Sequence, residues 1–160
     1  MGVAPTELVD LYREMIPQLA AYGANCGVGA ADMVGTVMAM RACALEEDVL
    51  VAKANCGIPE FIDGEIRYSG TPELMAEYVR LARDVGARII GGCCGTSPEH
   101  LAVMHQALDS YQPQSVPELE RVVERLGSVT AGTRAYCEGV HAVPVGKSRR
   151  ARSSRRRRSS

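Results

Sequence analysis

Three short apolar runs, each closing on a glycine-flanked Cys or Asn, constrain this chain most. Ala20-Ala21-Tyr22-Gly23-Ala24-Asn25 runs into Cys26-Gly27-Val28-Gly29. Val49-Leu50-Val51-Ala52-Lys53-Ala54 runs into Asn55-Cys56-Gly57-Ile58-Pro59. Ala87-Arg88-Ile89-Ile90-Gly91 runs into Gly92-Cys93-Cys94-Gly95-Thr96. Each run is too short for a helix and is bounded by turn residues, which predicts buried strands. The stretches between them carry helical periodicity. Leu8, Leu11, Met15 and Leu19 make one stripe over 6–20. Met33, Val37, Met40 and Ala44 make a second over 30–46, and Leu74, Tyr78, Leu81 and Val85 a third before Gly86. Thr71-Pro72-Glu73 and Ser97-Pro98-Glu99 are helix starts, each with a hydroxyl cap, a proline at the first position and an acid in the first turn. Leu101, Met104 and Leu108 then form the stripe of the helix that Ser97 opens. Strands alternating with helices predict an α/β fold with parallel pairing and right-handed crossovers.

Beyond this alternation the reading is plainer. Asp63-Gly64 predicts a tight turn, so 60–70 is a loop or small hairpin. Ser115 with Glu118 predicts a capping box for one more helix over 111–127. From 128 the pattern dissolves, and 128–160 is expected to be a flexible tail, Arg/Ser-rich from 147. Charge divides at the same place. Of 18 Lys and Arg and 19 Asp and Glu, eight of the basic side chains and none of the acidic fall in 147–160. The near-zero net charge is therefore a cancellation between an acidic body and a basic tail. No aromatic residue interleaves with those arginines, so the tail has no stacking platform, and nucleic acid is not expected as a partner. No apolar run reaches the ~20 residues of a membrane span. With no charged-then-apolar leader, the expected location is the cytoplasm.

Six cysteines in such a chain favour thiols or metal over a disulfide framework. In a parallel α/β fold, function gathers at the carboxyl ends of the strands. There Cys26 follows the first strand, Asn55 and Cys56 the middle one, and Cys93 and Cys94 the third. With neighbouring strands ~4.8 Å apart, the first and third lie ~10 Å apart. Curvature and inward-leaning side chains bring three thiolates within reach of a metal with a metal–sulfur distance of ~2.3 Å. Two other readings stay open on spacing alone. Buried free cysteine is common, and Cys93-Cys94 also fits a sharp glycine-rich turn. A thiol redox pair is disfavoured, because adjacent cysteines close only a strained ring and no CxxC is present. Cys43 and Cys137 read as inert, Cys56 as a rim residue, and His100 as a packing or surface residue at a helix start. His105 and His141 have no motif around them.

Gly23-Ala24-Asn25-Cys26, Ala54-Asn55-Cys56-Gly57-Ile58-Pro59 and Gly91-Gly92-Cys93-Cys94-Gly95-Thr96-Ser97-Pro98-Glu99-His100 together resemble the homocysteine S-methyltransferase family. That family includes betaine–homocysteine methyltransferase and the homocysteine domain of cobalamin-dependent methionine synthase. The resemblance covers residues 1–110 and implies a (β/α)8 barrel, of which these strands resemble the sixth, seventh and eighth. It implies zinc held by Cys26, Cys93 and Cys94, with homocysteine and a methyl donor as partners and methionine as product. It implies no catalytic side chain beyond the zinc site. Asn25 and Asn55 are candidate substrate-binding residues. The Asn-Cys-Gly-Ile-Pro stretch and the lack of a separate corrinoid-binding region favour betaine or a similar small donor. A complete barrel needs eight strands and ~250 residues. About three βα units are expected here, so the chain reads as the C-terminal part of a barrel: a fragment, a truncated reading frame or half of a split protein. Its further partner would be the missing N-terminal half or a second copy. The alternative functions are a zinc-binding, non-catalytic half-barrel or interaction fragment, and nonspecific binding of anions or nucleic acid through the basic tail.

Overall fold

The computed structural model describes residues 3–15 and 19–139. Helix α1 (Pro5–Met15) leads to strand β1 (Tyr22–Cys26), helix α2 (Ala30–Arg41) and strand β2 (Leu50–Ala54). Strands β3 (Pro59–Ile62) and β4 (Glu65–Tyr68) follow, then α3 (Pro72–Asp84), β5 (Ala87–Gly92), α4 (Pro98–Asp109), α5 (Leu119–Leu126) and α6 (Ala131–Cys137). The sheet order is β1-β2-β5, all parallel. This is the α/β pattern that the alternating sequence demands. Among the described residues the sheet has three strands, and the outer edges of β1 and β5 are unpaired. No helix there is long and apolar enough to cross a membrane.

The middle strand shows how the sheet is used. Leu50, Ala52 and Ala54 are fully buried against the helices, while Lys53 points to the opposite face and is exposed. Asn25 stands beside Lys53 in the register and is exposed too. One face of the sheet is thus packed, and the other is open. The packed side joins Val34, Val37 and Met40 of α2 to Met75, Tyr78, Val79 and Val85 of the α3 segment. The Tyr78 hydroxyl is buried yet satisfied: it accepts from the Ala54 N–H at 3.2 Å and donates to the Gly91 carbonyl at 3.4 Å. One side chain therefore ties the ends of β2 and β5 from below.

Three expectations need correction. The stripe through Leu8 and Leu11 is not the centre of the buried face of α1, since Leu8 packs only half-buried against the core. Leu11 is exposed and Val9 is fully buried, because the helix packs on α2 through the neighbouring row. Leu19 lies beyond the helix. The capping box at Ser115 does not form: the helix starts at Leu119. Pro117 disfavours helical dihedrals at Val116, which delays the start. Nor does a flexible tail begin at 128. Residues 131–137 form α6, held by buried Asp32, which accepts from the Thr130 N–H at 3.0 Å, the Thr130 hydroxyl at 2.7 Å and the Thr133 hydroxyl at 2.6 Å. Gly35 of α2 gives α6 its seat, since any Cβ there would collide with the Thr133 methyl group. Polar anchors carried this helix, so apolar periodicity gave no sign of it. The Arg/Ser-rich segment from 147 lies outside the described residues. The Asp63-Gly64 turn does join a hairpin, with positive φ at both residues as a primed turn needs.

Asp48 fastens α1 to the start of the sheet. Its Oδ2 accepts from Arg13 at 2.9 Å, the Tyr22 hydroxyl at 2.6 Å and the Leu45 N–H at 2.8 Å. Desolvation pushes its carboxyl up, but Tyr22, the Leu45 N–H and Arg13 outweigh that and hold it below its ordinary value. A depressed carboxylate stabilises fully above the unfolded pKa of about 3.9 and loses that contribution as pH falls through the lower folded value. Asp48→Asn is expected to cost about 1–3 kcal/mol at neutral pH, with most of the difference from the parent gone in strong acid. Urea denaturation of both chains across pH checks this.

Candidate metal centre

The three ligand candidates reach one point by different routes. Cys26 is the last residue of β1 and takes a positive φ of 68°. Non-glycine residues adopt that left-handed conformation rarely, at a cost of about 1–3 kcal/mol, and chiefly at functional sites. It swings the chain out of the strand direction into Gly27. Cys93 and Cys94 follow β5 in a turn closed by the Thr96 N–H on the Cys93 carbonyl at 3.2 Å. Gly95 supplies the positive φ of 76° at the third position of that turn. A side chain at Gly95 would also run into the ring of Tyr68.

The result is a compact trio. The Sγ atoms of Cys26, Cys93 and Cys94 all lie within 4.8 Å of one another. Cys26 and Cys94 are 3.9 Å apart, and so are Cys93 and Cys94. A tetrahedral zinc with bonds of ~2.3 Å needs sulfurs about 3.8 Å apart. The donor set therefore fits zinc in type and, for both pairs that Cys94 makes, in spacing. Three thiolates also leave one tetrahedral position for a further ligand, which marks catalytic zinc sites over structural ones.

The thiols are electrostatically unequal. The Gly27 N–H beside the Cys26 sulfur, then Cys94, hold the Cys26 thiol below its ordinary value, with Asn55 and Cys93 acting the same way against desolvation. Tyr68 pulls the Cys94 thiol down, but Cys26 and Cys93 outweigh it and leave that thiol raised. Closely packed thiols resist joint ionisation, and a cation removes that resistance.

The other marked residues take different places. Asn55 is buried, and its amide bonds the Gly27 carbonyl at 2.7 Å and the Cys94 N–H at 3.3 Å. Asn25 stands on the open face one residue before Cys26. Cys56 is buried outside the trio; its thiol donates to the Gly70 carbonyl at 3.2 Å, and burial pushes its pKa up. The Cys137 thiol donates to the Gly35 carbonyl at 3.3 Å and is raised by burial. His100 completes a capping box with Ser97, while its Nε2 meets the Gly70 carbonyl at 3.3 Å. The Ser97 hydroxyl already accepts the His100 N–H at the start of α4. Tyr68 was not marked by the sequence reading. A tyrosine ending a short hairpin strand carries no local signal, and only the fold sets it against the Cys93-Cys94 turn. Lys53 was also missed, since the continuous apolar run around it reads as a strand buried on both sides, whereas the strand has one open face from which Lys53 projects.

A family model described as homocysteine S-methyltransferase matches residues 1–108. The match takes in more than half of the 160 residues and all three cysteines of the trio. The chain belongs to the homocysteine S-methyltransferase family.

Unequal thiols have a measurable consequence. In the metal-free chain near neutral pH, iodoacetamide is expected to alkylate Cys26 several-fold faster than Cys94, although Cys94 is the more exposed. Cys56 and Cys137 should react last. Peptide mass spectrometry over a time course reads the order, and Cys94 reacting first would contradict the assignment.

Proposed function

We propose that this chain carries the zinc-binding part of a homocysteine S-methyltransferase, with Cys26, Cys93 and Cys94 as the ligands. One observation carries the reading: three sulfurs converge at tetrahedral spacing on the carboxyl ends of parallel strands, inside the family-matched region. Zinc bound there would supply a Lewis acid that favours the thiolate of homocysteine at its open position. The rest of the site's work falls to the chain. Cys26 and the Cys93-Cys94 turn fix the direction of that position. Tyr68 flanks Cys94 on one side, and Asn25 stands at the open face where a substrate's polar groups can meet it.

The reaction is a displacement at carbon. The homocysteine sulfur bonds to the methyl carbon while the bond from that carbon to a positively charged donor atom breaks. The donor atom keeps the bonding electrons and leaves neutral. Betaine or a similar small donor fits this step, its nitrogen departing as a tertiary amine. The donor side of the site belongs to the open face of the sheet, where the family's barrel would supply further βα units. The working enzyme on this reading is the chain with its sheet completed, either into a barrel by those units or by association with a second copy. The product is methionine, and the expected location is the cytoplasm.

Zinc titration with a competing chelator tests the centre. The parent is expected to bind zinc, and Cys94→Ser to bind it more weakly by more than the about 10–100-fold that loss of an outer partner costs. Equal affinity would overturn the ligand assignment. Methionine formation from homocysteine with betaine, and separately with S-methylmethionine, tests the donor. Turnover is expected with betaine, and only once the open face is completed. Turnover by a compact monomer on size-exclusion chromatography would overturn the need for completion.

A further inference from the structure

We infer that Asn55 is a positioning residue whose amide sets the separation of the Cys26 and Cys94 sulfurs. The inference rests on the reading of the trio as a metal centre and deepens it. Cys26 and Cys94 hang from strands that do not touch, because β2 lies between them. Among the described residues, no backbone hydrogen bond joins residues 26–29 to residues 93–96. Apart from the thiols themselves, the polar link between the two loops is the side chain of Asn55. It follows directly on the last residue of β2 and is 3% exposed.

Both ends of the amide are used, each in its own sense. Nδ2 donates to the Gly27 carbonyl at 2.7 Å, one residue past Cys26. Oδ1 accepts from the Cys94 N–H at 3.3 Å. The next residue completes the grip, since the Cys56 N–H donates to the Cys94 carbonyl at 2.9 Å. Residues 55 and 56 thus hold both backbone polar groups of Cys94 while Asn55 also holds the left-handed turn at Cys26 and Gly27. Aspartate would set an acceptor against the Gly27 carbonyl, alanine would leave both ends unpaired, and glutamine would displace the amide by one methylene. A group needing a donor at one end and an acceptor at the other, at this reach, is met by asparagine. Such outer partners orient metal ligands and hold them at bonding distance.

The test uses the full chain with Asn55→Ala and Asn55→Asp. Val122→Ala serves as a control, since it opens a cavity in the packed side of the core without touching the centre. Three readouts are taken: zinc affinity, the visible spectrum with cobalt(II) in place of zinc, and affinity for phenylarsine oxide, which bridges close thiols without a metal and is titrated in a Cys93→Ser background so that Cys26 and Cys94 are the pair of the trio left to bridge. Both Asn55 variants are expected to lose about 10–100-fold in zinc affinity, to shift the cobalt bands and to bind the arsenical more weakly. Val122→Ala should melt lower yet keep all three. Asn55 variants within two-fold of the parent in zinc and arsenical affinity would overturn the inference, as would equal losses in Val122→Ala. A parent that binds the arsenical but no zinc would refute the metal reading alone, and the arsenical titration would then decide the clamp. Should Asn55→Ala fail to fold, Asn55→Asp, which keeps the acceptor for Cys94 and loses only the donor, gives the same comparison.

Discussion

The cysteine centre depends on one spacing, the width of a single parallel strand. Because β1 and β5 are both hydrogen-bonded to β2, their ends lie two strand spacings apart, about 10 Å. The Cys26 and Cys94 sulfurs nevertheless approach to 3.9 Å. The loops supply the difference. Cys26 leaves its strand in a left-handed conformation, and the Cys93-Cys94 turn doubles back over the end of β2. Both excursions pass above the same strand end, where the backbone would otherwise present unpaired groups. The Ala54 carbonyl accepts the Cys93 N–H at 2.7 Å, and Asn55 and Cys56 accept and donate in turn. Shape at the centre is thus written into the main chain around β2, with the thiols as its outermost layer.

How much of this the sequence disclosed depends on the kind of signal each residue carries. The β1-β2-β5 order and the helix starts at Thr71 and Ser97 follow from periodicity and capping chemistry, and the rule for strand ends puts Cys26, Cys93 and Cys94 at one rim, while the family resemblance is what singles them out as a trio. Those are local or regular patterns. Elements held by polar contacts at long separation were not legible. Helix α6 exists because Asp32 accepts from Thr130 and Thr133, nearly a hundred residues away in the chain. Tyr68 meets the Cys93-Cys94 turn only because the hairpin folds back across it. Asn55 was marked as a candidate, but whether its amide faces a substrate or two backbone loops is a matter of register that no spacing encodes.

The electrostatics of the trio give the geometry its chemical direction. Three thiols within 4.8 Å cannot ionise independently. The Gly27 N–H holds the Cys26 thiol below its ordinary value, and, against the pull of Tyr68, the neighbouring Cys26 and Cys93 sulfurs hold the Cys94 thiol above its own. A divalent cation placed among them reverses that effect, so proton release and metal binding become one event. On the proposed reading the same coupling would extend to a fourth sulfur entering the open position. A site built for a thiol substrate and one built for zinc therefore make the same demand on these loops: sulfurs held close before they are charged.

The open face of the sheet shows what such a site still needs. Lys53 and Asn25 project from a surface whose opposite side packs on the helices, and among the described residues β1 and β5 each present an unpaired edge. Nearby, Phe61 and Ile66 of the hairpin are largely exposed. Unpaired parallel edges and exposed large apolar side chains both favour association. In parallel α/β architectures the usual solution is more strands on each edge and a covered face. The charge of Lys53 adds a further condition, since a lysine enclosed by such a cover must find an acid or a substrate carboxylate there. Completion of the sheet would thus satisfy its edges, cover its hairpin and, on the proposed reading of the trio as a metal centre, enclose that centre's open position, so association and methyl transfer would then answer to one structural requirement.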